Sequence, residues 1–297
     1  MTDYILGIDA GGTKTLGRLL HPATGRSWQL KMGSASLTND YNNAAATLYQ
    51  LISNLFELAQ CRGEQVTVVA GVPGAGNVQL RTSLELHLAE LCPQLWVTTD
   101  AKTSVWGANA GQPVAVVALG TGSVGMRLEA NGEERQFGGW GFNIGDEGSG
   151  AILGKMAVRQ VLDEFDRRRS FDSRLAKAVT AVIGTDPANI LGWLKQAVVN
   201  DFSRLAPLVL PLAEQCPQAA KVFERYVADV VALIDLTCLD VTLPVVILGG
   251  LAEGTLPHLP ERIRRQVIPA AGTSVDGALL LAERWRQGEL EKTEPRV

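Results

Sequence analysis

The chain has 297 residues, 46% of them hydrophobic, which is enough for one large domain or two of ordinary size around a substantial core. Charged residues make up 20% and the net charge is −4, which argues against a nucleic-acid or membrane-surface protein because those present a basic face. No apolar run is long enough to span a membrane and no signal segment precedes the first strand pattern, so we expect a cytoplasmic protein.

Strand and helix patterns alternate along the N-terminal part of the chain. Apolar runs predict strands at 4–8, 16–20, 27–32, 66–71, 95–98, 114–119 and 122–128. Apolar residues at helical spacing predict helices at about 40–60, 77–91 and 101–110. Short turns join the first three strands and indicate antiparallel pairing, whereas helices separate the later strands and favour parallel pairing.

The remainder of the chain is mainly helical. The predicted elements are helices broken at prolines over about 147–239, a strand at 245–248, a helix near 256–265, a strand at 266–268 and a helix at 274–286. A strand, a glycine turn and a second strand occur at 5–20 and again at 114–128. This duplication predicts two α/β halves, with the helical block in the second half.

The first candidate site is the turn after the first strand, where Asp9 precedes the segment Gly11–Lys14. Glycines let the backbone approach a ligand closely, and successive turn N–H groups can form a nest for an anion. Asp9 would then hold a hydrated Mg²⁺ beside the phosphates of that ligand. An ordinary hairpin with a Gly-Gly turn explains the same residues, so this motif alone leaves both interpretations open.

Similar glycine turns recur at two later places. The segment Gly120–Ser123 joins two predicted strands, and together with the first turn it would clamp the oxygens of a polyphosphate. Gly249-Gly250 follows a buried strand, where small residues would let the base or ribose of a nucleotide lie against the backbone. Each turn also has a purely structural explanation, but their recurrence favours a nucleotide site.

Two polar residues at helix starts are candidates for substrate contact. Asp100 follows the strand at 95–98 and is either the N-cap of the next helix or a carboxylate at the ligand-binding end of a sheet. In the second role it would accept a proton from an attacking hydroxyl, and both roles can hold together. Asn39, at the head of the first long helix, is likewise either a cap or a polar contact to substrate.

The segment 138–150 contains six glycines in thirteen residues. Such backbone freedom is costly to order and favours a small-molecule site over a plain loop. Trp140 would lie against a sugar ring. Asp146 and Glu147 would accept hydrogen bonds from sugar hydroxyls, or favour the N-terminus of the following helix.

Together these segments resemble the N-acetylglucosamine kinase and glucosamine kinase branch of the BadF/BadG/BcrA/BcrD ATPase family, within the actin-like ATPase superfamily. The similarity covers nearly the whole chain, and the run Gly139–Ser149 is its most specific part. It implies two ribonuclease-H-like α/β lobes around a nucleotide cleft. The first lobe would be 1–112, on the sugar side, with a helix at about 274–288 packing back on it. The second would be 113–273, on the nucleotide side, with a helical insertion at about 147–239.

The resemblance also implies an activity and its residues. The expected reaction is ATP-dependent phosphorylation of an amino sugar, N-acetylglucosamine, at the 6-hydroxyl, with Asp100 as the base and Asp9 holding Mg²⁺ through water. The residues implied to contact ATP are Asp9, Gly11, Gly12, Thr13, Lys14, Gly120, Thr121, Gly122, Ser123, Gly249 and Gly250. The residues implied to hold the sugar are Asn39, Gly139, Trp140, Gly141 and Asp146. A homodimer is expected, with no nucleic-acid or membrane partner.

Two alternatives to this activity stay open. One is a kinase for glucosamine or another hexose, because the sequence does not reveal the pocket for the 2-substituent. The other is a non-catalytic sugar sensor or an ATP-driven switch. The widely separated cysteines, none beside Gly120–Ser123, argue against the iron–sulfur cluster found in the dehydratase activators of this family.

Overall fold

The computed structural model describes residues 2–239 and 241–292, which form nine strands and twelve α-helices in two compact units. The predicted α/β class is confirmed. The first unit comprises the chain up to Val114, the segment Leu128–Arg135 and the chain from Ala270 onward. The second unit comprises Ala115–Arg127 and Gln136–Pro269.

The strands are β1 (Tyr4–Asp9), β2 (Thr15–His21), β3 (Arg26–Met32), β4 (Val66–Gly71), β5 (Leu95–Thr98), β6 (Val114–Leu119), β7 (Ser123–Leu128), β8 (Glu134–Gly138) and β9 (Val245–Leu248). The helices are α1 (Tyr41–Ala59), α2 (Val78–Leu88), α3 (Asp100–Ala108), α4 (Gly150–Arg168), α5 (Arg174–Ile183), α6 (Pro187–Gln196), α7 (Val199–Ser203), α8 (Ala206–Val209), α9 (Pro217–Cys238), α10 (Ala252–Thr255), α11 (Glu261–Arg264) and α12 (Ser274–Arg286).

The first unit is built on a five-stranded sheet in the order β3-β2-β1-β4-β5. β1 pairs antiparallel with β2 and β2 with β3, whereas β4 pairs parallel with both β1 and β5. The predicted change from antiparallel to parallel pairing is confirmed. β4 is buried along its whole length, as expected for a parallel strand covered on both faces. This pairing brings the C-terminal ends of β1, β4 and β5 to one edge of the sheet.

The second unit is built on a four-stranded sheet in the order β8-β7-β6-β9, in which β6 and β9 run parallel. This order repeats the arrangement β3-β2-β1-β4 of the first sheet. In both sheets three strands consecutive in sequence lie side by side, and the fourth strand pairs parallel with the earliest of the three. The helical block α4–α9 makes up most of the rest of this unit, and its apolar side chains share one core with β6 and β9. The long helices α4 and α9 pack against each other in that block.

The structure differs from the predicted elements in three places. β8 was missed because most of its residues are polar and none is buried, so no hydrophobic alternation identifies it. The predicted helix at 256–265 is broken into short turns, since Pro257 and Pro260 cannot continue a helix. The predicted strand at 266–268 is wrong: Val267 forms only an isolated bridge to Val245.

The four cysteines, Cys61, Cys92, Cys216 and Cys238, are all free thiols, and the second and third are buried. Within residues 2–239 and 241–292, no helix combines the length and the hydrophobicity needed to cross a bilayer.

Candidate active site

The first glycine turn, Gly11–Lys14, joins β1 to β2. Gly12, Thr13 and Lys14 are exposed, and their backbone N–H groups have no hydrogen-bond partner among the described residues. The carbonyl of Gly11 accepts a hydrogen bond from the N–H of Ala35 at 2.9 Å, which ties the turn to the segment after β3. The turn therefore presents open N–H donors, a hydroxyl and an ammonium group, a set suited to binding an anion.

Asp9 ends β1, at the edge where the parallel strands finish. The register places Asp9 beside Gly71 of β4, and Gly71 beside Thr98 of β5. Burial and, to a smaller extent, the charge of Asp100 raise the pKa of Asp9 to about 6, whereas Lys14 opposes the shift. Two carboxylates thus influence each other at this edge of the first sheet.

Asp100 is the first residue of α3 and not its cap, so the capping interpretation is wrong. The side chain of Thr99 caps the helix by accepting a hydrogen bond from the N–H of Lys102 at 3.2 Å. Burial raises the pKa of Asp100, while hydrogen bonds from its own N–H and that of Ala101 oppose this shift. A carboxylate held in this way beyond a strand end is placed to accept a proton from a bound hydroxyl.

Asn39 lies exposed in the turn before α1, and its capping interpretation is also wrong. Asp40 caps α1 by accepting a hydrogen bond from the N–H of Asn43 at 3.0 Å. The N–H of Leu37 donates to the carbonyl of Pro73 at 2.9 Å, which holds this turn beside the segment that follows β4. In the part of the chain that the structure describes, no hydrogen bond engages the Asn39 amide.

Sequence reasoning missed Thr98, the last residue of β5. Its hydroxyl is fully buried and lacks a hydrogen-bond partner among the residues described. Buried hydroxyls almost always have a partner, so this orphan, two residues before Asp100, marks a place where a bound molecule or a water would complete the bonding. The only signal in the sequence was its position at the strand end.

The second glycine turn, Gly120–Ser123, joins β6 to β7. Two of its carbonyls accept hydrogen bonds from the start of α4. The N–H of Gly150 donates to the carbonyl of Gly120 at 2.8 Å, and the N–H of Ala151 donates to the carbonyl of Thr121 at 3.1 Å. The N–H groups of Thr121 and Gly122 have no acceptor within the described ranges. The turn is thus anchored by its carbonyls and leaves two donors open beside the exposed Thr121 side chain.

Gly249 and Gly250 follow β9, and both are exposed. Gly249 has a φ of 99°, and a Cβ at this position would lie 2.3 Å from the carbonyl oxygen of Leu119. Gly250 has open space around its Cα. A flat group could therefore lie against the backbone here, and Leu119 connects this turn to the second glycine turn.

The glycine loop, Gly138–Gly145, precedes Asp146. Gly139 and Gly141 have φ values of 71° and 87°, and Trp140 between them is 76% exposed. Asp146 is only 9% exposed, and its Oδ1 accepts a hydrogen bond from the N–H of Gly141 at 3.1 Å. Trp140 is therefore open to a ligand, whereas the Asp146 carboxylate is engaged with the chain's own backbone.

The structure divides the predicted residues between the two units. The predicted residues in the first unit are Asp9, Gly11, Gly12, Thr13, Lys14, Asn39 and Asp100. Those in the second unit are Gly120, Thr121, Gly122, Ser123, Gly139, Trp140, Gly141, Asp146, Gly249 and Gly250. Within each unit they gather at loops that follow or join strands of the central sheet.

The sequence of the BadF/BadG/BcrA/BcrD ATPase family matches residues 6–282. The chain belongs to this family. Its relatives include a glucosamine kinase of Vibrio cholerae serotype O1, to which it is 26% identical over 94% of this chain and 96% of that protein. An N-acetylmuramic acid/N-acetylglucosamine kinase of Clostridium acetobutylicum is 27% identical over 56% of this chain and 55% of its own length.

Solved structures share the fold. A candidate N-acetylglucosamine kinase from Chromobacterium violaceum superposes with a TM-score of 0.83 and 32% identity, covering 95% of this chain and 99% of that one. A second candidate N-acetylglucosamine kinase, from Porphyromonas gingivalis, has a TM-score of 0.68 and 18% identity, covering 98% and 100% of the two chains. The family and the fold inferred from the glycine motifs are confirmed.

An ATPase of this family needs charge neutralisation at its phosphates, and the carboxylates of the first unit fit Mg²⁺. The described residues include no cluster of three or more His, Cys, Asp or Glu around one point. Mg²⁺ in nucleotide sites is commonly held by one or two carboxylates together with water and phosphate oxygens. Asp9 supplies one such carboxylate, and a cation beside it would offset the charge of the neighbouring Asp100, which raises the pKa of Asp9.

Proposed function

We propose that this protein transfers the γ-phosphoryl group of ATP to the 6-hydroxyl of N-acetylglucosamine, with Asp100 as the base. The chain is an ATP-dependent sugar kinase, a class supported by its family and by relatives named for amino-sugar kinases. The observation that carries the finer proposal is Asp100, a half-buried carboxylate whose pKa is raised and which does not cap α3, because Thr99 does.

In the proposed mechanism Asp100 orients the sugar 6-hydroxyl and accepts its proton as the phosphoryl group moves. Phosphoryl transfer depends mainly on positioning and charge neutralisation, so one carboxylate supplies sufficient acid–base assistance. A raised pKa makes the Asp100 carboxylate a stronger base toward the sugar hydroxyl. The buried hydroxyl of Thr98, two residues away, would gain a partner when the site is filled.

The glycine turns would bind ATP. The open N–H groups and hydroxyl of Thr13, and those of Thr121, would contact phosphate oxygens, with Lys14 adding a positive charge. Gly249 and Gly250 would lie against the adenosine. Mg²⁺, when bound, would be held by Asp9 through water and would neutralise phosphate charge.

The sugar would be held mainly by the glycine loop. Trp140 offers an exposed ring face, and Gly139 and Gly141, which flank it with left-handed φ values, would complete the sugar contact. Asn39 would add an amide contact from the first unit. Free glucosamine is the second candidate substrate, because the Vibrio cholerae relative is named for it.

The test is a coupled ADP-release assay with Mg·ATP against N-acetylglucosamine, glucosamine, glucose and N-acetylmannosamine. Turnover strongest on N-acetylglucosamine supports the proposal, and turnover strongest on glucosamine or glucose replaces the acceptor while keeping the kinase. Sugar binding by calorimetry without ADP production would point to a sensor and contradict the catalytic proposal.

Asp100→Asn tests the base directly. Removing a general base typically costs about 10²- to 10⁴-fold, so kcat should fall by that order while Mg·ADP affinity stays near the wild-type value. Steady-state kinetics and calorimetry on the same preparation measure both quantities. Turnover close to that of the wild type would remove Asp100 from this role.

We further propose how the chain is organised and where it acts. Residues 1–112 with α12 would form the lobe on the sugar side, which includes the first glycine turn, and 113–273 the lobe on the nucleotide side, which includes the glycine loop. We expect a cytoplasmic homodimer, which light scattering would distinguish from a monomer of 31.7 kDa.

A further inference from the structure

Asp146 has an unusual backbone conformation for its place in the chain. Its φ is 63°, in the left-handed region that non-glycine residues rarely adopt. Among the described residues, the other non-glycine cases are Gln60, Ala110 and Arg169, which all follow the C-terminal end of a helix, where this conformation is common. Asp146 instead lies four residues before α4, so its conformation calls for a local explanation.

The explanation lies in two loops that share the Asp146 carboxylate. Oδ1 accepts a hydrogen bond from the N–H of Gly141, in the glycine loop, at 3.1 Å. The same carboxylate lies near the backbone N–H of Ser123, in the second glycine turn, which lowers its pKa. Burial raises the pKa of Asp146, and these two donors oppose that shift. The left-handed backbone thus points an ionisable side chain at both loops.

The space around this carboxylate is also fitted to it. A Cβ on Gly122 would lie 2.7 Å from Oδ2 of Asp146, closer than a Cβ can approach an oxygen. The φ of Gly122 lies outside the left-handed region, so the backbone there does not itself require glycine. Gly122 is therefore glycine because Asp146 occupies the place of its side chain.

These contacts determine which donors of the turn remain open. The N–H of Ser123 lies near the Asp146 carboxylate, and the Ser123 hydroxyl donates to the carbonyl of Glu147 at 2.7 Å. The N–H groups of Thr121 and Gly122 keep no partner in the described part of the chain. The direction of these two open donors therefore depends on the anchoring of Ser123.

We propose that Asp146 is a positioning residue that fixes the second glycine turn and the glycine loop relative to each other, so that nucleotide affinity and sugar affinity depend on one carboxylate. The inference rests on the proposed function, since it assigns the turn to ATP and the loop to the sugar. It differs from the sugar contact that the family resemblance implies for Asp146, because a sugar contact alone would leave nucleotide binding unaffected.

The experiment measures the affinity for Mg·ADP in the absence of any sugar. Asp146→Gly keeps the left-handed backbone at no steric cost and removes the carboxylate, and Asp146→Asn keeps the size but exchanges one acceptor oxygen for a donor. We expect both variants to bind Mg·ADP at least about fivefold more weakly than the wild type, in line with the usual loss of a charged hydrogen-bond acceptor. Ile144→Ala is the matched control: Ile144 lies in the same loop, its side chain is 82% exposed, and the substitution should leave Mg·ADP affinity within twofold.

A double-mutant cycle gives a second, independent readout. Gly122→Ala should weaken Mg·ADP binding in the wild-type background, because its Cβ meets the Asp146 carboxylate. In the Asp146→Gly background, Gly122→Ala should weaken Mg·ADP binding by a clearly smaller factor, because the carboxylate oxygen that its Cβ would meet is absent. If Gly122→Ala weakens Mg·ADP binding by the same factor in both backgrounds, the contact with Asp146 is not the reason that residue 122 is glycine.

The outcomes separate this inference from the proposed function. Unchanged Mg·ADP affinity in both Asp146 variants, with weaker sugar binding, would overturn the positioning role and leave a sugar contact. A wild-type protein that binds no Mg·ADP and turns over no hexose would instead contradict the proposed function. Thermal melting of each variant verifies that the protein measured is folded.

Discussion

At the scale of single residues, the unusual property of this protein is a pair of carboxylates whose charged forms are disfavoured. Burial raises the pKa of both Asp9 and Asp100, and the charge of Asp100 adds to the shift at Asp9. Raised carboxyl pKa values at the ligand-binding end of a sheet are typical of functional sites, because stability alone gives no reason to keep them. The two residues should therefore dominate the dependence of activity on pH.

Activity should fall in acid as Asp9 becomes protonated. The pKa of Asp9 is about 6, so above this pH the residue is charged and able to hold a hydrated cation, and below it the charge is lost. The value of kcat/KM for Mg·ATP reports the free enzyme and should decline by about tenfold per pH unit below the transition. Because Lys14 lowers the pKa of Asp9, Lys14→Met should shift this acid limb to higher pH.

The control for this shift is Lys31→Met, an exposed lysine on β3 that is not among the groups acting on Asp9. Its acid limb should coincide with that of the wild type. An acid limb at the same pH in Lys14→Met and in the wild type would contradict the assignment of the transition to Asp9.

At the scale of elements, the end of β6 connects two of the proposed nucleotide-binding turns. Leu119, its last residue, precedes the second glycine turn, and its carbonyl accepts a hydrogen bond from the N–H of Leu251 at 3.2 Å. Gly249 passes so close to this carbonyl that a side chain there would strike it. The turns after β6 and β9 are therefore held together by backbone contacts.

Gly249→Ala should damage both stability and nucleotide affinity. The left-handed φ of 99° and the 2.3 Å approach to Leu119 both oppose a Cβ, so the free energy of unfolding should fall by more than about 1 kcal/mol. The affinity for Mg·ADP should fall as well, because Leu119 leads directly into Gly120. Urea denaturation and calorimetry measure the two effects. Gly250→Ala, which has open space, is the comparison for stability; an equal loss in both variants would contradict the steric argument.

The sequence predicted the strands and turns well because their signals are local. The apolar runs of β1, β4 and β6, and the glycine turns that follow β1 and β6, are readable without tertiary contacts. β8 was missed because its residues show no regular alternation of polar and apolar side chains. The capping interpretations of Asp100 and Asn39 were wrong by one residue, because Thr99 and Asp40 beside them can also cap a helix. Which of two adjacent residues is the cap depends on backbone geometry. The engagement of Asp146 with two loops depends on tertiary placement and has no local signal.

At the scale of the whole molecule, the first unit is assembled from distant parts of the chain. α12, near the C-terminus, packs against β1 and α3, near the N-terminus. The absence of a side chain at Gly7 lets α12 pack close to β1, because a Cβ there would lie 2.8 Å from the backbone and side chain of Leu279. The hydroxyls of Ser104 in α3 and Ser274 in α12 add a hydrogen bond of 2.8 Å. α12 is thus part of the support for α3, the helix that begins with Asp100.

Gly277→Ala should therefore reduce both stability and turnover. A Cβ on Gly277 would lie 1.9 Å from the carbonyl oxygen of Thr103, so α12 and α3 must separate, at the cost of about 1–3 kcal/mol usual for overpacking. Because α3 carries Asp100, kcat should fall more than the affinity for Mg·ADP. Gly192→Ala, exposed in α6 with nothing near its Cβ, is the matched control and should stabilise the protein by about 0.5–1 kcal/mol. Urea unfolding gives the stabilities and steady-state kinetics gives kcat. A destabilised Gly277→Ala variant with an unchanged kcat would mean that α12 stabilises the first unit without positioning Asp100.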